Sequence, residues 1–119
     1  MPSRDFKRSD RISAMLRREV GMLVHAAARD HGVPSASVSD VEATKDLDVA
    51  TVWVTVLQPE MASETVKALN AMAGEFRREL SRTLRIRRVP ELRFKYDASV
   101  EQGERIETLL RQEKEQGRL

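Results

Sequence analysis

Apolar residues recur at spacings of three and four from Ile12 through Met15, Leu16, Val20, Leu23 and Val24 to Ala27. This is one face of a helix, which the pattern starts at a Ser9 or Asp10 cap and ends near Arg29, before Gly32 and Pro34. Ala36 to Thr44 reads as a weaker strand carrying Val38 and Val41, and Lys45-Asp46-Leu47-Asp48 has turn chemistry. Val49 to Leu57 is the strongest strand signal. Ala50, Val52, Val54 and Val56 alternate with Thr51, Trp53 and Thr55, so one face is apolar and the other amphipathic. The two strands are expected to pair as an antiparallel hairpin.

Gln58-Pro59-Glu60 breaks the strand, and helix resumes by Ser63 with Val66, Leu69 and Met72 or Ala73 on one side. Gly74 interrupts it and places a new helix N-terminus just behind. Phe76, Leu80 and Leu84 then recur at spacing four, while Arg78, Arg82 and Arg85 form a stripe on a different helical face. Past Pro90, Leu92, Phe94 and Tyr96 alternate with Arg93, Lys95 and Asp97, a strand with one apolar and one charged face. Ser99-Val100-Glu101-Gln102 matches a capping box for a last short helix through Ile106, Leu109 and Leu110. The order α-β-β-α-α-β-α, with a long crossover before the third strand, predicts an α+β two-layer domain. Its three-stranded sheet carries helices on one face and leaves the other partly open. The expected organisation is a flexible basic arm over 1–8, a domain over 9–112 and a charged tail over 113–119.

Charge sharpens this picture. The chain's net charge is only +2, yet residues 76–96 hold eight basic residues and two acidic ones. Glu79 and Glu91, even with nearby Glu75, do not neutralise that run. Cations placed on adjacent elements of a folded body point to a phosphate-rich partner. The expected contacts are Arg77, Arg78, Arg82, Arg85, Arg87 and Arg88, supported by Arg93, Lys95 and Lys45, with Arg4, Lys7, Arg8 and Arg11 as a basic arm. Base stacking has little support in a chain with one Trp, one Tyr and three Phe, and Trp53 is expected to pack under a helix.

Catalytic chemistry finds no motif. His25 and His31 lack metal-ligand spacing, and Asp46 and Asp48 read as turn residues. The serines lack a nucleophile elbow, and no phosphate-binding glycine loop occurs. The expectation is a protein that is not an enzyme and that holds no metal or cofactor. The chain has no cysteine, no apolar stretch of membrane-span length and no signal-type block, which suits the cytoplasm.

The α-β-β-α-α-β order is that of a type II KH domain, without the Gly-x-x-Gly loop usual between the paired helices. Arg11-Ile12, Val38-Ser39-Asp40-Val41, Asp46-Leu47-Asp48-Val49-Ala50 and Gly74-Glu75-Phe76-Arg77-Arg78-Glu79-Leu80 carry a closer likeness. So do Arg85-Ile86-Arg87-Arg88-Val89-Pro90-Glu91-Leu92-Arg93-Phe94 and Asp97-Ala98-Ser99-Val100-Glu101-Gln102-Gly103-Glu104-Arg105-Ile106. Over about residues 8–112 the chain resembles the ribosome-binding factor A family, in which a small-residue kink replaces that loop. The family's Ala-x-Gly kink falls on Met72-Ala73-Gly74, with Met in place of the first Ala. The resemblance implies a KH-like fold and a cytoplasmic, non-enzymatic ribosome assembly factor. Such a factor binds the free small (30S) subunit or its precursor, assists late 16S ribosomal RNA maturation and is linked to growth in the cold. The expected partners are small-subunit ribosomal RNA and the 30S or pre-30S particle, bound by a monomer with no membrane association. The alternative is a protein–protein interaction module of KH-like fold without direct RNA contact, docking through a strand edge or the Trp53 face.

Overall fold

The computed structural model describes residues 4–99, with side chains from Arg8 onward. The capping box beyond Ser99, the last short helix and the charged tail lie outside the described residues, as do residues 1–3. The elements are α1 (Arg4–Asp30), β1 (Ala36–Ala43), β2 (Val49–Val56), α2 (Ala62–Ala71), α3 (Ala73–Thr83) and β3 (Glu91–Tyr96). A single 3-10 turn over Pro59–Met61 leads into α2.

The sheet order is β1-β2-β3. β1 and β2 pair antiparallel, and β2 and β3 pair parallel with Val52 beside Phe94. The apolar face of β2 is sealed: Ala50, Val52 and Val54 are fully buried. Leu92 and Phe94 extend that face onto β3, and Leu16, Val20 and Val24 of α1, Leu69 of α2, and Phe76 and Leu80 of α3 close over it. Burying each such side chain contributes about 1.5–3 kcal/mol. The opposite face carries Thr51 and Trp53 on β2 beside Arg93 and Lys95 on β3, in register. This is the expected α+β two-layer arrangement.

Five local features depart from the expected pattern or add to it. First, α1 begins at Arg4, ahead of the Ser9 or Asp10 cap that the pattern suggested. No Gly or Pro falls between Ser3 and Gly21 to stop the helix propagating past Ser9. Second, the break between α2 and α3 falls at Met72 (φ −92°, ψ −2°), with Gly74 already inside α3. Gly74 has no left-handed φ, and a Cβ added there would meet nothing within 4 Å, so neither strain nor close approach requires glycine. Hydrogen bonding runs on through the break, from Met72 N–H to the Leu69 carbonyl (3.1 Å) and from Phe76 N–H to the Met72 carbonyl (3.0 Å).

Third, α3 stops at Thr83 and Leu84 is extended (ψ 138°), so Arg85 is not on a helical stripe with Arg78 and Arg82. The Ser81 and Thr83 hydroxyls bond back to the Arg77 and Glu79 carbonyls (3.0 and 3.1 Å), a habit that weakens a helix end. Fourth, β1 carries an irregularity between Val38 and Asp40. Ser39 is the extra residue, and its hydroxyl lies 2.7 Å from Asp97 Oδ2. Hydrogen bonds from Ser39 and then Ser99 hold the Asp97 carboxyl below its ordinary pKa. Fifth, among the described residues no helix covers Trp53. It sits half-buried on the open face with the Lys95 ammonium 5.8 Å from its ring centre.

β3 is an edge strand, and its free edge is partly occupied. Asn70 of α2 accepts from Phe94 N–H (2.9 Å) and donates to the Phe94 carbonyl (3.1 Å), pairing the backbone as a neighbouring strand would. Asn70→Ala leaves both groups unpaired at about 1–2 kcal/mol. Its melting temperature is expected to fall by about 5–10 °C in a thermal circular-dichroism scan. Asn70→Asp keeps only the acceptor half and should recover only part of the loss.

Candidate nucleic-acid interface

The basic residues do not form one patch. Their most coherent group lies where the N-terminal half of α1 meets the segment between α3 and β3. There Arg8 and Arg11 of α1 face Arg85, Arg87 and Arg88 across a shallow cleft of about 340 Å³. Ile12, Met15 and Ile86 line the same cleft, and among the described residues no acidic side chain does. Arg85 and Arg87 are exposed and form no ion pair with a described acidic residue.

The 84–90 segment is braced, although it belongs to no helix or strand. The Arg77 guanidinium donates through Nε to the Val89 carbonyl (3.0 Å). Arg88 pairs with Asp48 of the β1–β2 turn at 2.6 Å, and Glu91 N–H donates to the Asp48 carbonyl (2.9 Å). Val89 and Pro90 are buried. Asp48 is itself held by its turn. Its N–H donates to Asp46 Oδ1 (3.0 Å), which also accepts from the Thr44 hydroxyl (2.6 Å). These bonds, the Thr44 one foremost, lower the Asp46 carboxyl's pKa. Leu47 takes a left-handed φ of 61° and is nonetheless buried, so the turn trades local strain for an apolar anchor. An exposed pair such as Arg88–Asp48 contributes less than about 1 kcal/mol by itself. Its consequence is positional: Arg85 and Arg87 are displayed on a chain segment tied at both ends.

The remaining basic residues sort differently. Arg77 is engaged as a brace. Arg82 is paired with Glu79. Arg78 and Arg82 border a groove between α1 and α3 that also contains Glu75, Glu79 and Asp30, so its charge is mixed. Arg93 pairs with Glu91 at 3.2 Å on the open sheet face, and Lys95 lies over Trp53. Lys45 stands at the β1–β2 turn in a second mixed-charge cleft with Asp10, Asp40 and Glu42. The side chains of Arg4 and Lys7 lie outside what the structure describes. Sequence reasoning missed that Arg8 and Arg11 meet Arg85–Arg88, and that an apolar floor lies between them. The only sequence signal for that floor was Ile86, an aliphatic residue inside an arginine run.

His25 and His31 are exposed on α1 and just beyond it. Among the described residues no three His, Cys, Asp or Glu side chains converge as metal ligands, and no helix is long and apolar enough to cross a membrane.

Comparison with known proteins places this architecture. The family described as ribosome-binding factor A matches residues 8–110. Ribosome-binding factor A of Xanthomonas euvesicatoria is 56% identical over 111 residues, covering 93% of this chain and 85% of that protein. The crystal structure of ribosome-binding factor A from Thermus thermophilus superposes with a TM-score of 0.65 at 26% identity, over 74% of this chain and 93% of that one. A Thermus thermophilus homology model of the same factor was fitted into an electron cryo-microscopy map of a 30S–RbfA complex. It aligns with a TM-score of 0.60 at 27% identity, over 72% of this chain and 91% of that one. With sequence and fold matching through α1 to β3, the chain belongs to the ribosome-binding factor A family.

Proposed function

We propose that this protein binds the free small ribosomal subunit or its precursor and assists late maturation of 16S ribosomal RNA, with the arginine cleft between α1 and the 84–90 segment as its RNA contact. The observation that carries the reading is the convergence of Arg8, Arg11, Arg85, Arg87 and Arg88 on one cleft that no described acidic side chain lines, with Arg88 also paired to Asp48 behind it. The complex of the Thermus thermophilus relative with the 30S particle supports the choice of partner. Guanidiniums offer planar paired donors to phosphate oxygens, and a braced segment presents them with little ordering cost on binding. The protein acts as a holder: it binds one arrangement of the RNA better than another and shifts that population, with no bond made or broken. It works as a cytoplasmic monomer without a cofactor.

Such contacts release counterions, so binding falls steeply with salt. With about four phosphates engaged, Arg88 being paired to Asp48, affinity for purified small subunits is expected to drop on the order of a hundredfold between about 50 and 200 mM monovalent salt. Gradient co-sedimentation across that range measures it. A flat response would favour docking on ribosomal protein and sink the RNA-contact reading.

A further inference from the structure

The arginine cleft has a feature that phosphate binding alone does not use. Ile12 and Met15 of α1 and Ile86 of the connecting segment line it together with the arginines. Ile12 is buried, while Met15 and Ile86 are half-buried and present apolar surface to the cleft. Phosphates gain nothing from hydrocarbon. A nucleobase has two apolar faces that do, and guanidinium planes stack on bases as readily as they pair with phosphates. The volume of about 340 Å³ sits at the lower end of the roughly 300–1,000 Å³ of small-ligand pockets, which suits one nucleotide and not a run of them.

We infer that this cleft takes a single unstacked RNA nucleotide, its base laid against Met15 and Ile86 and its phosphate held by Arg85, Arg87 and Arg11. This inference rests on the proposed RNA contact and deepens it: the site reads a single-stranded or extruded nucleotide, not the outside of a duplex. A duplex offers phosphates to the rim and leaves the floor unoccupied. The cleft also lies at the opposite end of α3 from the Met72 break, about 16 Å away along an 11-residue helix. Selection for an unpaired nucleotide gives the holder a physical basis for telling RNA arrangements apart, because a nucleotide stacked and paired in one state is available only in the other.

The test compares two ligands of equal charge by fluorescence anisotropy on the full chain: an adenosine RNA hexamer and a hexamer of abasic tetrahydrofuran phosphates. The RNA hexamer is expected to bind roughly tenfold tighter, and Ile86→Ala and Met15→Ala, made separately, should each cut that preference to about twofold without changing the abasic affinity. A blunt-ended RNA duplex of the same charge, which has no loop and no unpaired nucleotide, should compete poorly. Equal binding of the two hexamers overturns the inference, as does binding of the blunt duplex tighter than that of the RNA hexamer. Absence of hexamer binding at about 1 mM overturns it too. Because both hexamers carry the same phosphates, failure here leaves the salt dependence of small-subunit binding as a separate result.

Discussion

Arg85→Glu combined with Arg87→Glu is expected to weaken binding to small subunits by about a hundredfold or more, each lost charged contact costing about 1.5–3 kcal/mol. Stability should be unchanged. Both side chains are exposed, neither pairs with a described carboxylate, and the bonds that brace their segment come from Arg77, Arg88 and Glu91. The salt slope should shrink by about two phosphate contacts, which separates loss of phosphate binding from general electrostatic repulsion. Arg82→Glu is the internal comparison. Arg82 already pairs with Glu79 and stands in a groove of mixed charge, so its reversal should cost far less. Co-sedimentation of the double variant at wild-type levels, with wild-type circular dichroism, would remove the cleft from the interface.

Arg77 carries a different expectation, although it sits in the same basic run. Its Nε bond to the Val89 carbonyl is one of the ties that keep the 84–90 segment in place. It thus acts on the cleft through chain geometry, whereas Arg85 and Arg87 offer charge directly. Charge density in a sequence does not distinguish these uses. Alternation and period do better at their own task. The apolar faces of α1, β2 and β3 follow directly from side-chain spacing, because a buried face must repeat at the period of its element. Leu16, Val20, Val24, Ala50, Val52, Val54, Leu92 and Phe94 are buried as the pattern requires.

What periodicity missed has physical causes. α3 ends at Thr83, where Ser81 and Thr83 bond back to the helix, and the extended Leu84 takes Arg85 off the face its spacing assigned. The break at Met72 turned on one residue's backbone angles in a chain where Gly74 was the more obvious interrupter. Asn70 looks in sequence like a surface helix residue, and only the fold shows its amide serving as the missing neighbour of an edge strand. The approach of Arg8 and Arg11 to Arg85–Arg88 joins distant parts of the chain and depends on how α1 crosses the sheet. No local pattern encodes such a meeting.

Phe76→Ala is expected to be the most damaging single substitution among these, at about 3–5 kcal/mol against a total stability of about 5–15 kcal/mol for a domain of this kind. Phe76 is 4% exposed, and its ring meets the Phe94 ring edge-on at 5.8 Å and 64°, fastening the start of α3 to the edge strand. Truncation removes that contact and leaves a cavity between α3 and the sheet, so the melting temperature should fall by about 15 °C or more. The consequence reaches the cleft. Arg77 is the next residue, and its hold on Val89 requires α3 to be seated. Small-subunit binding should therefore weaken at temperatures where the variant is still folded, with both its basic residues and its salt slope intact. A double-mutant cycle with Phe76→Leu and Phe94→Leu isolates the ring pair and should return a coupling of about 0.5–1.5 kcal/mol. A coupling near zero would mean that Phe76 fills space without orienting α3, and the predicted loss of binding in the folded variant should then vanish with it.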